Sequence, residues 1–487
     1  MVFSSLTFIF LFLPIFFFIY YISPKNFKNT ILFIGSLVFY AFGEPLYLIL
    51  ILLSILINYQ FGRLIGHYSE EDVKQSSPEK VEKMRKFWLI ISCVYNFGML
   101  IVFKYTDFFI DNWNGILHIV NWFHGSDITS ALHVNPLCLT LPLGISFYTF
   151  QIQSYCIDVY RKKVSSENSL VDLGTYLCMF PQLIAGPIVI FQDVRVALKE
   201  RTITIDSIDE GLKTFIIGLG YKVLLANRIG ILWNEIQTIG FSSISTPLAW
   251  LGAVAYSMQL YFDFKGYSLM AVGLGSMLGF HLPENFNHPY MAKSVTDFWR
   301  RWHITLGSWF KDYVYIPLGG NRKGMKRTII NLLIVWFLVG FWHGAGWNFI
   351  LWGLLIFAMQ SLENRFYLEK LRNTKVLCHI YMIFYILISW VIFAITDFVQ
   401  LGTYFEHMFP FITNCHIASP SGDYITMLQT YGLLLLAGLL FCTDIPERLF
   451  AKIRNKIYGI IVIFGIFWAS VYYLSLGMNN PFLYFRF

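Results

Sequence analysis

Two histidines stand in apolar, tryptophan-rich sequence: His343 in FWHGAGWNFILWG and His303 in FWRRWHITLGSWFKDYVYIPLGGNR. Imidazole is the side chain able to exchange a proton near neutral pH, and an ionisable group at membrane depth marks a functional site by default. On helical spacing Trp299, His303, Leu306 and Phe310 share one face, which sets His303 on an aromatic stripe. Taken alone, such a histidine reads as a satisfied core residue. Taken with His343, it completes a proton-transfer pair: one base and one orienting or electrophilic partner. Arg300 and Arg301 lie in the same aromatic sequence, where unmatched cations are costly; an anionic, phosphate-bearing donor or pairing with Asp297 and Asp312 would satisfy them. Trp299 and Trp342 are the aromatic neighbours expected to line the donor's path.

The elements that hold these residues are membrane helices. Residues 331–359 carry no formal charge, and one helix of that length, about 44 Å, exceeds a hydrocarbon core of roughly 30 Å. Two spans joined by a turn would each be too short, so a break near the middle is expected. Gly344, Ala345 and Gly346 supply it, with His343 facing the polar cavity that a broken helix requires. Hydrophobic residues make up 56% of the 487 positions and charged residues 13%, with a mean hydropathy of +0.57, which excludes a soluble enzyme. The expected fold is all-α and polytopic: one membrane domain over 1–487, eleven or twelve spans, and re-entrant pieces around 141–144, 180–187 and 299–317. Within it 283–361 form the reacting core and 477–487 an aromatic tail. Residues 67–86 and 104–136 read as the longest polar loops.

Lys25, Lys28 and the basic stretches 80–86, 161–163, 322–327 and 452–456 assign a cytoplasmic side, which puts the tail after the last span outside the cell membrane. The net charge of +7 fits that bias. No basic soluble face for nucleic acid is visible. Seven cysteines without paired spacing support neither a metal site nor a disulfide framework.

The two histidine-bearing stretches resemble the signatures of the membrane-bound O-acyltransferase family, and the resemblance runs from about residue 30 to the C-terminus. LPLGISFYTFQ (141–151), FPQLIAGP (180–187) and YFDFKGYSLMAVGLGSMLGF (261–280) are similar to its bacterial polysaccharide branch. The resemblance implies helices around a tunnel, an acyl thioester entering from the cytoplasm with acetyl-CoA as donor substrate, no cofactor, and a hydroxyl acceptor from outside. The family's near-invariant histidine falls on His343, as general base, and its second position on His303, which would orient a reactant or stabilise the oxyanion. PFLYFRF resembles that branch's C-terminal aromatic motif, with Arg486 where glutamine is usual. Tyr484 is then either a transient acyl acceptor or an interfacial anchor. The implied partners are the lipid bilayer, an extracytoplasmic SGNH-type acetyltransferase and, downstream, a polysaccharide. D-alanyl transfer to teichoic acid and a transporter or flippase are the competing readings.

Overall fold

The computed structural model describes residues 2–67, 77–125, 129–184, 186–413 and 422–477. Among these, all regular structure is helical; the isolated antiparallel bridge between Phe286 and Trp302 is the exception. Seven described helices are long and apolar enough to cross a bilayer, fewer than the eleven or twelve spans expected. The difference lies in apolar helices such as Phe8–Ile22 and Ile145–Tyr160, 15 and 16 residues long, about 22–24 Å and short of the hydrocarbon thickness. The chain packs as two compact units, one of residues 15–184 and 188–201, the other chiefly of residues 2–14 and the chain from 202 onward.

The first unit contains α1 (Lys28–Ala41), α2 (Leu48–Gly66), α3 (Pro78–His124), α4 (Ile145–Tyr160), α5 (Leu170–Cys178) and α6 (Phe191–Lys199). Buried amides join the middle helices: Asn58 and Asn96 exchange hydrogen bonds at 2.9 and 2.8 Å, and Asn96 also donates to Gln153 at 2.9 Å. An amide left unpaired in such a core costs several kcal/mol in the most apolar media, so this triple contact fixes the register of α2, α3 and α4. The polar loop expected over 104–136 is corrected. α3 runs 47 residues without interruption, because Phe108, Phe109, Trp113, Ile116 and Leu117 continue a helical apolar spacing with no proline among them. It stops at Gly125, whose φ of 69° is the left-handed conformation that glycine adopts at a helix end. The piece expected to be re-entrant at 141–144 is a turn: Gly144, at φ 75°, opens α4 with its Cα against the carbonyl of Leu183, where a Cβ would not fit.

The second unit contains α7 (Ile205–Ile239, with a π-helical turn at Tyr221–Ala226), α8 (Thr246–Met277), α9 (Val295–Arg301), α10 (Ile304–Phe310), α11 (Met325–His343), α12 (Trp347–Leu362), α13 (Leu377–Ala394), α14 (Phe398–Met408), α15 (Asp423–Phe441), α16 (Ile445–Ile453) and α17 (Ile457–Ser475). Its core is the α7–α8 pair. Gly211 and Gly218 of α7 face Gly273 and Gly266 of α8, and a Cβ on Gly218 would stand 2.6 Å from the Gly266 carbonyl oxygen. Small residues at that spacing let the backbones close together. Lys222 and Asp263 pair at 2.5 Å in the same buried seam. Beyond it, Lys265 Nζ reaches Glu447 of α16 at 2.7 Å and His288 Nε2 lies 3.1 Å from the other carboxylate oxygen, so the amphipathic α16 is pinned to α8 by charge.

The break expected at 344–346 is present, and its consequence differs from the expectation. α11 ends at His343, Gly344 and Gly346 are extended, and α12 folds back along α11 as an antiparallel hairpin. α11 reaches span length because it begins at Met325, recruiting Lys326 and Arg327 into its first turn.

Candidate active site

A cavity of about 790 Å³ opens within the second unit, and both histidines line it. His343 occupies the last position of α11, where the extended glycines after it end the helix and leave the ring among aromatics. It stands edge-on to Trp352 and Phe393, ring centres 5.0 and 5.4 Å away, and it is buried. Gly344 is tightly placed: a Cβ there would enter the ring of Phe349.

His303 arrives by a route that helical periodicity does not describe. The single helical stripe expected across residues 299–310 is corrected: α9 ends at Arg301, and His303 sits at φ 46° and ψ 55° as the cap of α10. Trp299, His303, Leu306 and Phe310 nevertheless all line the cavity, because the kink between two short helices turns their side chains to one side. The left-handed backbone is costly for a residue with a Cβ and persists where its surroundings hold it. Those surroundings are a strand-like contact: Ile304 N–H donates to the Asn285 carbonyl at 3.0 Å and Asn287 N–H to the Arg301 carbonyl at 2.9 Å. The Asn285 side-chain oxygen lies 3.0 Å from His303 Nδ1 and accepts from the Thr305 hydroxyl at 3.0 Å. Phe264 closes over the ring edge, its centre 4.7 Å away.

Trp299, Trp302 and Trp336 supply the largest apolar surfaces of the walls. Trp299 packs against Trp336 and Trp352 at 5.1 and 5.4 Å, and its indole N–H donates to the Tyr385 hydroxyl at 3.0 Å. Trp336 N–H donates to Gln360 at 2.7 Å. Glu363, fully buried, accepts from the Val295 and Thr296 N–H groups at 2.6 and 3.1 Å, which anchors the start of α9 under the site.

The remaining candidates divide. Arg300 lines the cavity with Lys311, Tyr315 and Asn321, which give its lining polar and cationic groups. Arg301 turns to Asp297 at 2.9 Å, so that pair is internal to α9, and neither residue lines the cavity. Asp312 is absent from its lining as well. Trp342 packs behind, 5.0 Å from His343 and 6.4 Å from His303. Tyr484 and the tail lie outside the described residues. Asn285, Gln360, Glu363 and Tyr385 were not singled out from sequence; of these, only Asn285 carries a signal there, as a polar residue in the segment just before the His303 stretch. Among the described residues no group of three His, Cys, Asp or Glu side chains is placed to hold a metal ion.

Comparison with known proteins identifies the family. The family model of the membrane-bound O-acyltransferases matches residues 122–402, which include both histidines. The chain is 38% identical to the probable alginate O-acetylase of Azotobacter vinelandii, over 89% of this chain and 83% of that one. It is 35% identical to the peptidoglycan O-acetyltransferase of Helicobacter pylori, over 88% and 84%. The teichoic acid D-alanyltransferase of Bacillus subtilis is 30% identical over 48% of this chain and 62% of its own length.

Proposed function

The chain belongs to the membrane-bound O-acyltransferase family and is an integral-membrane O-acyltransferase, and from that premise we propose that it moves acetyl groups from a cytoplasmic thioester, acetyl-CoA, across the cell membrane for O-acetylation of an exported or cell-wall polysaccharide. The observation that carries this reading is the convergence of His303 and His343 on one cavity whose lining also holds Arg300 and Lys311. Asn321 and Thr328, on either side of the basic stretch 322–327 that positive-inside bias assigns to the cytoplasm, line the same cavity. An anionic nucleotide thioester is suited to enter there. The relatives matched over most of their length acetylate polysaccharides by name, whereas the D-alanyl relative matches about half of this chain, which favours acetyl over D-alanyl transfer.

In this mechanism His343 takes the proton of the acceptor hydroxyl as its oxygen attacks the thioester carbonyl; the C–S bond breaks and the thiolate leaves with a proton. His303 orients a reactant beside it, and the apolar part of the lining, Trp299, Trp302, Leu306, Phe310 and Trp336, limits the water that would hydrolyse the thioester. Tyr484 is the transient acyl acceptor, handing acetyl to an extracytoplasmic SGNH-type acetyltransferase. The test is incubation of the purified protein with labelled acetyl-CoA. Release of free thiol with label transferred or retained supports the reading; intact acetyl-CoA carried without thiol release would indicate a transporter or flippase.

A further inference from the structure

One oxygen next to His303 decides which ring nitrogen carries the proton. Asn285 Oδ1 lies 3.0 Å from His303 Nδ1, 3.0 Å from the Thr305 hydroxyl and 3.3 Å from the Thr305 backbone nitrogen. A backbone N–H can only donate, so the Asn285 atom at that point is the amide oxygen and not the amide nitrogen. An amide oxygen cannot donate, so His303 Nδ1 must carry the hydrogen between them. In a neutral imidazole the other nitrogen, Nε2, then holds the lone pair and acts as acceptor. The same residue grips the backbone as well, its carbonyl accepting from Ile304 N–H at 3.0 Å across the left-handed turn at His303. Asn285 and His303 are both buried, so water competes little for these bonds.

We propose that Asn285 is a positioning residue which holds His303 in the Nδ1–H tautomer, so that His303 Nε2 accepts a hydrogen bond from the hydroxyl-bearing reactant in the cavity. This rests on the acyltransferase reading of that cavity and narrows it. A neutral ring held this way cannot offer Nε2–H to an oxyanion. Orienting the hydroxyl is therefore its part of the work, and His343 remains the base that removes the proton. The Thr305 N–H and hydroxyl converge on the same oxygen, so the amide cannot flip without losing their hydrogen bonds.

The test uses the full chain in lipid nanodiscs with ¹⁵N-labelled histidine, the His303 resonances being identified by their loss in His303→Gln. The expected spectrum shows a protonated Nδ1 and an unprotonated Nε2 for His303. Thiol release from acetyl-CoA is the second readout. Asn285→Leu should slow it by about 10²-fold or more, while Asn285→Asp, which keeps an acceptor oxygen against Nδ1, should stay within about tenfold of the native rate. In a His303→Ala background Asn285→Leu should add little, because the two residues act as one unit. An Nε2–H tautomer in the native protein overturns the proposal, and so does an Asn285→Leu defect of equal size with and without His303. If Asn285→Leu fails to fold, the native tautomer and the Asn285→Asp rate still decide. Absence of thiol release from the native protein would count against the acyltransferase donor, whereas the tautomer would still decide the role of Asn285.

Discussion

Gly340 and Gly353 meet backbone to backbone: a Cβ on Gly353 would stand 3.2 Å from the Cα of Gly340, and one on Gly340 would press into the carbonyl of Phe349. This contact closes the α11–α12 hairpin one turn below His343 and holds the imidazole against Trp352. Gly353→Leu should therefore prevent correct packing of the hairpin, overpacking costing typically 1–3 kcal/mol and more where backbone must move. Membrane yield and thermal midpoint should both fall. A variant with native yield, midpoint and acyl transfer would show that the hairpin tolerates separation.

Glu447 ties α16 to α8. Burial alone would raise its carboxyl, but the hydrogen bond from His288 and the charge of Lys265 outweigh it and hold the group down, to about 2. A carboxyl depressed in the folded state stabilises above its unfolded value, near 4.3, and that contribution is lost as pH falls from there through the folded value. Thermal midpoints of the native protein and Glu447→Gln, followed from pH 7 to pH 3, should differ at neutral pH and converge toward the acid end. A constant gap at all pH values would mean that the carboxylate charge contributes nothing.

The proposed topology puts the tail outside. A cysteine at position 480, in a cysteine-free background, should react in intact cells with a membrane-impermeant thiol reagent. Protection in cells and labelling only after lysis would reverse the orientation derived from the 452–456 stretch.

Tyr484→Phe keeps the ring and removes the oxygen. If Tyr484 relays the acyl group, delivery to the outer partner should stop and thiol release should fall with it, although the donor cavity remains intact, and removal of the partner's nucleophile should let acetyl-Tyr484 accumulate in the native chain. Normal polysaccharide acetylation by the variant would leave the residue an interfacial anchor.

Much of the site was readable because its chemistry sits in two short, unusual stretches. An imidazole beside Gly-Ala-Gly in an uncharged run has few explanations, and the break at His343 is where the glycines predict it. His303 was legible as a residue and not as a geometry, since a four-residue spacing cannot announce a left-handed turn whose support comes from Asn285, 18 positions earlier. Glu363 and Tyr385 were silent for a related reason: a buried carboxylate on helix N–H groups, or a tyrosine under a tryptophan, is defined by partners 68 and 86 residues away. The length of α3 was obscured by Asp107 and Asp111, which read as loop residues; in the structure Asp107 accepts the N–H groups of Leu137 and Cys138 and so fastens the returning chain to the helix.

The central claim is that the cavity shared by His303 and His343 transfers the acyl group, and His343→Ala tests it most directly. Polysaccharide-bound acetyl should be measured in cells expressing native and variant chains at matched membrane abundance. The glycines at 344 and 346 and the Gly340–Gly353 contact set the local backbone independently of the imidazole, so the variant should fold. Loss of a general base predicts a fall in acetyl transfer of about 10²–10⁴-fold, with His303→Ala also impaired but less so. Native acetylation by correctly folded His343→Ala would contradict the account.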